Sequence, residues 1–285
     1  MSVSRKRPTS TRSQLFRLLR LGRLIFLLLV ILGALTWHYK TTSNEKAATP
    51  VSLTTSSFEA KLQSVITANP DITFGLAVIP LKPTDGSPVY INANAPFFAA
   101  SIGKLVAATD YLHGVEQGTY NLNDMLGIYS SSFQLQQLIN QSNNDSWGLF
   151  NDLLTLPGEQ KYAESIGLTA YKADQNEISV KDAATILTKL YQGGLLNPDD
   201  TKLLLSYMQN TEEERFIPAA FTSTQNLYHK IGLYETYAHD AALVENPTHP
   251  YVLVIFSDGQ GIQDYPARAA MFGKLTKAVT TVFGE

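Results

Sequence analysis

Apolar and polar positions change rhythm twice along this chain. A helical stretch, Phe58 to Thr67, is followed by two strand-like runs, Ile72 to Leu81 and Val89 to Asn92, joined by a turn over Pro83–Ser87. From Ser101 to Met208 the pattern is mostly helical, with breaks at Gly118, Ser130–Ser132, Gly158 and Gly193-Gly194. Within that stretch Phe133, Leu135, Leu138 and Ile139 fall roughly on one helical face. A short polar turn, Gln141 to Asp145, interrupts the face, and an apolar pattern resumes from Trp147 to Leu154. Strands return at Leu227–Ile231, Ala241–Glu245 and Tyr251–Ser257, and Ala267 to Val282 reads as a closing amphipathic helix. Strands at both ends and few in the middle predict an α/β (α+β) lobe built from 58–100 and 225–285, with a helical lobe, 101–224, inserted between its halves. A cleft between the lobes is where a ligand site is expected.

The first 40 residues follow a different rule. Arg5, Lys6, Arg7, Arg12, Arg17, Arg20 and Arg23 precede an uncharged run from Leu24 to Trp37, and no acidic residue occurs before Glu45. The expectation is a membrane signal anchor over 1–40, spanning through 24–37, with its basic end in the cytoplasm and the bulk of the chain outside. Secretion after signal-peptide cleavage is the alternative. Thr41 to Ser57, rich in Ser and Thr, reads as a polar linker to the domain 58–285. Residues 1–40 hold 8 of the 22 basic residues and none of the 25 acidic ones, leaving 14 basic against 25 acidic, a net charge of −11. That balance argues against a nucleic-acid partner. The chain has no cysteine, and so neither a disulfide framework nor a thiolate metal site. The five histidines, His38, His113, His229, His239 and His249, show no metal-ligand spacing, so no metal and no cofactor is expected.

Three motifs carry candidate chemistry. In Ser101-Ile-Gly-Lys104 a serine and a lysine three apart share a helical face at the start of an apolar run. A serine hydroxyl needs a base to become a nucleophile, and a lysine serves as one when burial or nearby cations lower its pKa. The ordinary alternative is a helix-capping Ser101 and a solvated Lys104. In Ser142-Asn-Asn144, between two helices, Ser142 can pass a proton and Asn144 can hold an amide, or both can be plain turn residues. In Lys230-Ile-Gly232 a strand lysine can hold a carboxylate or polarise Ser142, and Gly232 can let a substrate backbone approach, or the pair can be a surface strand lysine before a turn glycine. Asp240 reads as a turn residue, and Trp147, Phe150 and Tyr191 as core.

In this order, with these flanks, the motifs resemble the S-x-x-K, S-D-N and K-T-G of the class A β-lactamases and their penicillin-binding relatives. Phe98-Ala-Ala-Ser-Ile-Gly-Lys104, Leu138-Ile-Asn-Gln-Ser-Asn-Asn144, Arg215-Phe-Ile-Pro218 and Tyr228-His-Lys-Ile-Gly232 carry the likeness, which extends over residues 58–285. It implies a β-lactamase/transpeptidase-like fold, an antiparallel sheet flanked by helices plus an inserted all-helical lobe. It also implies that Ser101 is the acylated nucleophile, Lys104 its proton acceptor and Ser142 a relay to the leaving nitrogen. Asn144 would bind the substrate amide, Lys230 and Gly232 would line the far wall, and the backbone N–H groups of Ser101 and Leu233 would form the oxyanion hole. The implied substrate is a β-lactam or a D-Ala-type cell-wall peptide.

Three departures qualify the resemblance. Only Leu168 to Ile178 stands where the family has a longer omega loop carrying a deacylating glutamate, and neither Glu164 nor Glu177 has that glutamate's local context. The expectation is slow deacylation. Ile231 replaces the hydroxyl residue of the third motif, and Asn143 the aspartate of the second. The alternative function is a catalytically silent cell-wall-binding or regulatory module on the same fold. No oligomeric state is implied.

Overall fold

The computed structural model describes residues 55–285, so the expected anchor and most of the expected linker lie outside the described residues. Helix α1 (Thr55–Thr67) begins inside the stretch assigned to the linker, so Thr55–Ser57 form a first helical turn rather than a tether. Strands β1 (Thr73–Pro80) and β2 (Val89–Ile91) follow as the alternation required. The closing strands are longer than the sequence suggested: β7 (Leu227–Tyr234), β8 (Tyr237–Val244) and β9 (Tyr251–Asp258). They form one antiparallel sheet in the order β2-β1-β9-β8-β7. Asp240 therefore lies inside a strand and not at a turn.

Central β9 reads as an unbroken apolar run because both of its faces are covered. Val252, Val254 and Phe256 join one core, with Val180, Ala183 and Leu187 of the helix α6 (Val180–Tyr191). Tyr251, Leu253 and Ile255 join the other, with Leu62 of α1 and Phe272, Leu275 and Val279 of the terminal helix α8 (Tyr265–Phe283). Gly75 makes the first packing possible, since a Cβ there would stand 2.8 Å from Val180 Cγ1 and 2.9 Å from Phe97 Cε2.

The middle of the chain is helical: α2 (Lys104–Glu116), α3 (Ser131–Ile139), α4 (Asn144–Leu154), α5 (Leu156–Ser165), α6 and α7 (Pro198–Tyr207). Side-chain caps decide several boundaries. Ser130, Asn143, Ser179 and Asn197 each accept a hydrogen bond from the backbone N–H three residues on. The break expected at Gly158 falls at Thr155 instead, whose hydroxyl caps α5 and leaves Gly158 inside it. Leu135, Leu138 and Ile139 are buried, but Phe133 is 41 % exposed and leans on Tyr129, with ring centroids 4.6 Å apart. Short strand pieces escaped the pattern: the hairpin β4 (Met125–Leu126) with β5 (Tyr129–Ser130), and the pair β3 (Phe97–Phe98) with β6 (Glu177–Ile178). Among the described residues no helix is long and apolar enough to cross a membrane.

One buried carboxyl strains the helical lobe. Glu159 is 2 % exposed, and one of its oxygens accepts from the Tyr171 hydroxyl while the other has no partner. Burial, reinforced by the nearby Asp110, pushes its pKa up to about 7. A carboxyl with a raised folded pKa contributes fully below its unfolded value near 4.5, and that contribution is lost as pH rises towards 7. Glu159→Gln keeps the acceptor for Tyr171 and removes the charge. Urea unfolding should show the variant more stable than the parent at pH 8, by about 2–3 kcal/mol, with the gap closing by pH 4. A pH-independent gap would contradict this account.

Candidate active site

Ser101 does not cap a helix. It lies in a single 3-10 turn, Ala100–Gly103, and α2 starts only at Lys104. Residues three apart eclipse in such a turn, but the Lys104 amine is bonded to Ser142 and Asn144, and no hydrogen bond joins it to the Ser101 hydroxyl among the described residues. The turn is strained at its entry, where Ala100 has φ +48°. Neighbouring elements hold that geometry. The Ala99 N–H donates to the Asn176 carbonyl at 2.6 Å, and Asn176 Nδ2 donates to the Ala100 carbonyl at 3.1 Å. His239 Nε2–H donates to the Phe98 carbonyl at 2.9 Å, while its Nδ1 accepts from the Ser257 N–H at 3.2 Å. Burial pulls the pKa of this imidazole down to about 4, so it stays neutral.

Gly232 completes the brace. A Cβ there would stand 3.0 Å from the Ala99 carbonyl oxygen and 3.2 Å from the Ile102 nitrogen. The close approach this glycine permits is thus to the backbone around Ser101, where the sequence suggested a substrate's.

Two lysines converge on one hydroxyl. Lys104 Nζ donates to Ser142 O, to Asn144 Oδ1 at 2.8 Å and to Ser142 Oγ at 3.3 Å. Lys230 Nζ donates to Ser142 Oγ at 2.8 Å and to the Ile231 carbonyl at 2.9 Å. Both side chains are essentially fully buried. Burial lowers Lys104 to about 8, against the opposing pull of Glu212. Burial, with the positive charge of Lys104 next, lowers Lys230 to about 7, against Glu212 and Asp240. Two ammonium groups on either side of one oxygen repel, so one of them is readily neutral near pH 7 and can take a proton. Of the two roles considered for Lys230, its contacts match the polarising of Ser142. The indole of Trp147 lies 5.1 Å from Lys104 Nζ, so that residue shields the amine as well as filling space.

Ser142 reaches this position through a left-handed turn, φ +51°. Asn140 pins the turn by donating from Nδ2 to the Tyr207 and Gln209 carbonyls. Asn143, in place of the family aspartate, caps α4 by accepting from the Ser146 N–H at 2.8 Å. Asn144 spends its oxygen on Lys104, which leaves its amide N–H groups free to donate.

Ser101, Ser142, Asn144 and Leu233 line one cavity of ≈ 360 Å³. Ile231, Glu212 and Glu213 complete its wall. Ile231 is 4 % exposed and belongs to the core with Phe216 and Ile217, so a packed aliphatic side chain replaces a hydroxyl. Glu164 and Glu177 are not in this cavity. Larger cavities of ≈ 640 and ≈ 750 Å³ lie between α6 and α7 and beside residues 167–174, and neither sets a serine beside a buried lysine.

Sequence reasoning missed Glu212, Glu213, Asn176 and His239. A run of three acids, Glu212-Glu213-Glu214, just before the Arg215-Phe-Ile-Pro218 segment was the available signal for the first two. Behind them, His229 donates one ring nitrogen towards Asp240 at 2.9 Å and bonds Thr211 and Glu214 through the other. Burial alone would lower this imidazole, but the two carboxylates outweigh it and raise it to about 9. The charged His229 thereby ties the 211–214 segment to the sheet.

The model of the beta-lactamase enzyme family matches residues 57–283. The chain belongs to that family. Among solved structures, PBP-A superimposes with a TM-score of 0.72 at 21 % identity, covering 81 % of this chain and 96 % of that one. A point variant of PBP-A, in an acyl-enzyme complex with penicillin G, gives 0.71 at 20 % identity, covering 80 % and 96 %. A β-lactamase from Sphaerobacter thermophilus gives 0.70 at 18 % identity, covering 80 % and 97 %. At these identities the structural likeness speaks to the fold, which is the β-lactamase-like antiparallel sheet with flanking helices and an inserted helical lobe. No curated protein matches the sequence significantly. The family is one of serine hydrolases.

A Cβ at Gly232 would press on the Ala99 carbonyl and the Ile102 nitrogen, so Gly232→Ala should shift the Ala100–Gly103 turn slightly away from β7. The expected cost is about 1–3 kcal/mol of stability, with a larger proportional loss of Ser101 reactivity. Denaturation curves beside labelling rates would check this; unchanged reactivity would show that the turn does not need the contact.

Proposed function

We propose that this protein is an extracytoplasmic serine hydrolase that is acylated on Ser101 by a β-lactam or a D-Ala-type cell-wall peptide and is deacylated slowly. The observation that carries the reading is the shared cavity. It holds a serine on a braced turn, beside a hydroxyl flanked by two buried amines of lowered pKa. In the step envisaged, Ser101 Oγ attacks the substrate carbonyl carbon and its proton passes to the neutral Lys104 amine. The Ser101 and Leu233 N–H groups stabilise the oxyanion. The carbonyl–nitrogen bond then breaks, and Ser142 relays a proton to the leaving nitrogen. Release of the acyl group needs an activated water. Glu164 and Glu177 are outside the cavity, which supports a long-lived acyl-enzyme. The PBP-A variant held as an acyl-enzyme with penicillin G is consistent with a β-lactam as probe.

Membrane attachment through residues 24–37 is part of the proposal and rests on the basic and apolar segments of the sequence. The second reading, a silent wall-binding module, is favoured by Ile231, which offers no hydrogen bond to a substrate carboxylate.

The test is intact-mass measurement of the chain with a fluorescent penicillin over time. A stable adduct that Ser101→Ala abolishes is expected; persistent labelling of that variant would overturn the serine assignment. Rapid turnover of a chromogenic cephalosporin would contradict slow deacylation. Absence of both adduct and turnover, with wall-fragment binding that is insensitive to Ser101→Ala, is the outcome of the silent-module reading.

The buried amines also fix a pH dependence. Acylation should rise with pH and level off above about 8, since Lys104 must lose its proton first. Lys104→Arg, which cannot titrate in this range, should slow acylation by roughly 100-fold or more and remove the pH dependence. A flat profile in the parent would argue that Lys104 is not the base.

A further inference from the structure

The cavity offers an anionic substrate no free cation. Both amines within reach are already engaged: Lys104 by three protein acceptors and Lys230 by two, with almost no exposed surface on either. Ile231 supplies no donor at the wall. The ionised groups that do face the space are two carboxylates, and they differ. Both oxygens of Glu213 are taken by the Arg215 guanidinium, at 2.5 to 2.8 Å. The Glu212 carboxylate has no hydrogen bond or ion pair among the described residues, although it is near enough to both buried amines to pull their pKa values up. Its backbone is fixed nonetheless, because the Glu212 N–H donates to the Asn140 carbonyl at 3.2 Å, on the turn that carries Ser142. An unpaired carboxylate is thus held at the mouth of the nucleophile's cavity by the same turn that positions the proton relay.

We propose that Glu212 is a specificity-determining residue that selects acyl substrates whose leaving group carries a cation, and that it disfavours leaving groups carrying a carboxylate. The inference rests on acylation of Ser101 and revises the substrate side of that reading: β-lactams and D-Ala-type peptides become probes that acylate the serine, and not its preferred substrates. A β-lactam or a peptide with a free terminal carboxylate would then be a poor substrate, tolerated at high concentration. An acyl compound whose departing half bears an ammonium group would be a better one. The chemistry is unchanged: the Ser101 oxygen bonds to the carbonyl carbon, the bond to the leaving atom breaks, and the relayed proton leaves with it.

Thioesters of one acyl group, phenylacetylglycine, separate charge from shape. The thiocholine ester carries a quaternary ammonium, the 3,3-dimethylbutyl thioester is its neutral isostere, and the 3-mercaptopropionate thioester carries a carboxylate. Thiol release is followed with a chromogenic disulfide, and ratios of second-order rate constants are compared at one pH. Ratios cancel any change in the protonation of Lys104 that a substitution at residue 212 causes. The parent should prefer the ammonium ester over the neutral one by about fivefold and the neutral over the anionic one by a similar factor, as expected of a partly solvated ion pair. Added salt should shrink both ratios. Glu212→Gln should bring them near one, and Glu212→Lys should invert the order. Glu212 is exposed, so both variants should fold. A parent that prefers the anionic ester, or ratios unmoved in both variants, would overturn the proposal. Thiol release that persists in Ser101→Ala would instead show that the underlying serine reading is wrong.

Discussion

The hydroxyl of Ser142 lies between two buried ammonium nitrogens, and this is the arrangement on which the rest of the site depends. Burying even one lysine amine is costly without partners. Burying two that meet at a single oxygen is tolerable only if one gives up its proton, which is the property a base requires. Three separate elements must agree for this to occur. Helix α2 supplies Lys104 on its first residue, edge strand β7 supplies Lys230, and the left-handed turn before α4 supplies Ser142. The pinning of that turn by Asn140 and the capping of α4 by Asn143 are then part of the electrostatics as much as of the fold.

The turn that carries Ser101 is organised by a second set of contacts. Ala100 holds a conformation that L-residues seldom adopt, and the cost is met by hydrogen bonds from its neighbours. The short 168–178 loop, which has no carboxylate in the cavity, contributes Asn176 to this brace. Its contribution is therefore mechanical. The neutral His239 does the same from the sheet, and its neutrality follows from burial among Phe97, Tyr237 and Phe256. Gly232 makes the fit possible by being absent as a side chain.

The acidic 211–214 segment shows how single residues redirect the electrostatics of a shared architecture. His229 is charged because Asp240 and Glu214 both face it, and Asp240 also accepts from the Ile217 N–H. That knot fixes the loop that presents Glu212 and Glu213 to the cavity. The wall of that cavity carries Ile231, an aliphatic side chain packed in the core, and the Glu212 carboxylate.

The sheet, most helices and the three motifs were legible in the order of residues, because these are local: alternation, helical period and spacing act over a few positions. The pattern located β1, β7, β9 and α8 to within a few residues. It failed where a single contact decides a boundary, as at Thr155, where a cap moves a helix start that glycine propensity had put elsewhere, and at Phe133, whose apolar side chain sits on the surface. It could offer Lys104 as a base and Lys230 as a partner of Ser142, but not choose between those roles and the ordinary ones or find Glu212, since Lys104, Ser142 and Lys230 meet, with Glu212 on the neighbouring cavity wall, only when distant segments pack. Whether a lysine is a base or a solvated cation is set by burial and by the neighbours it acquires, and those are properties that arise only once the chain has folded.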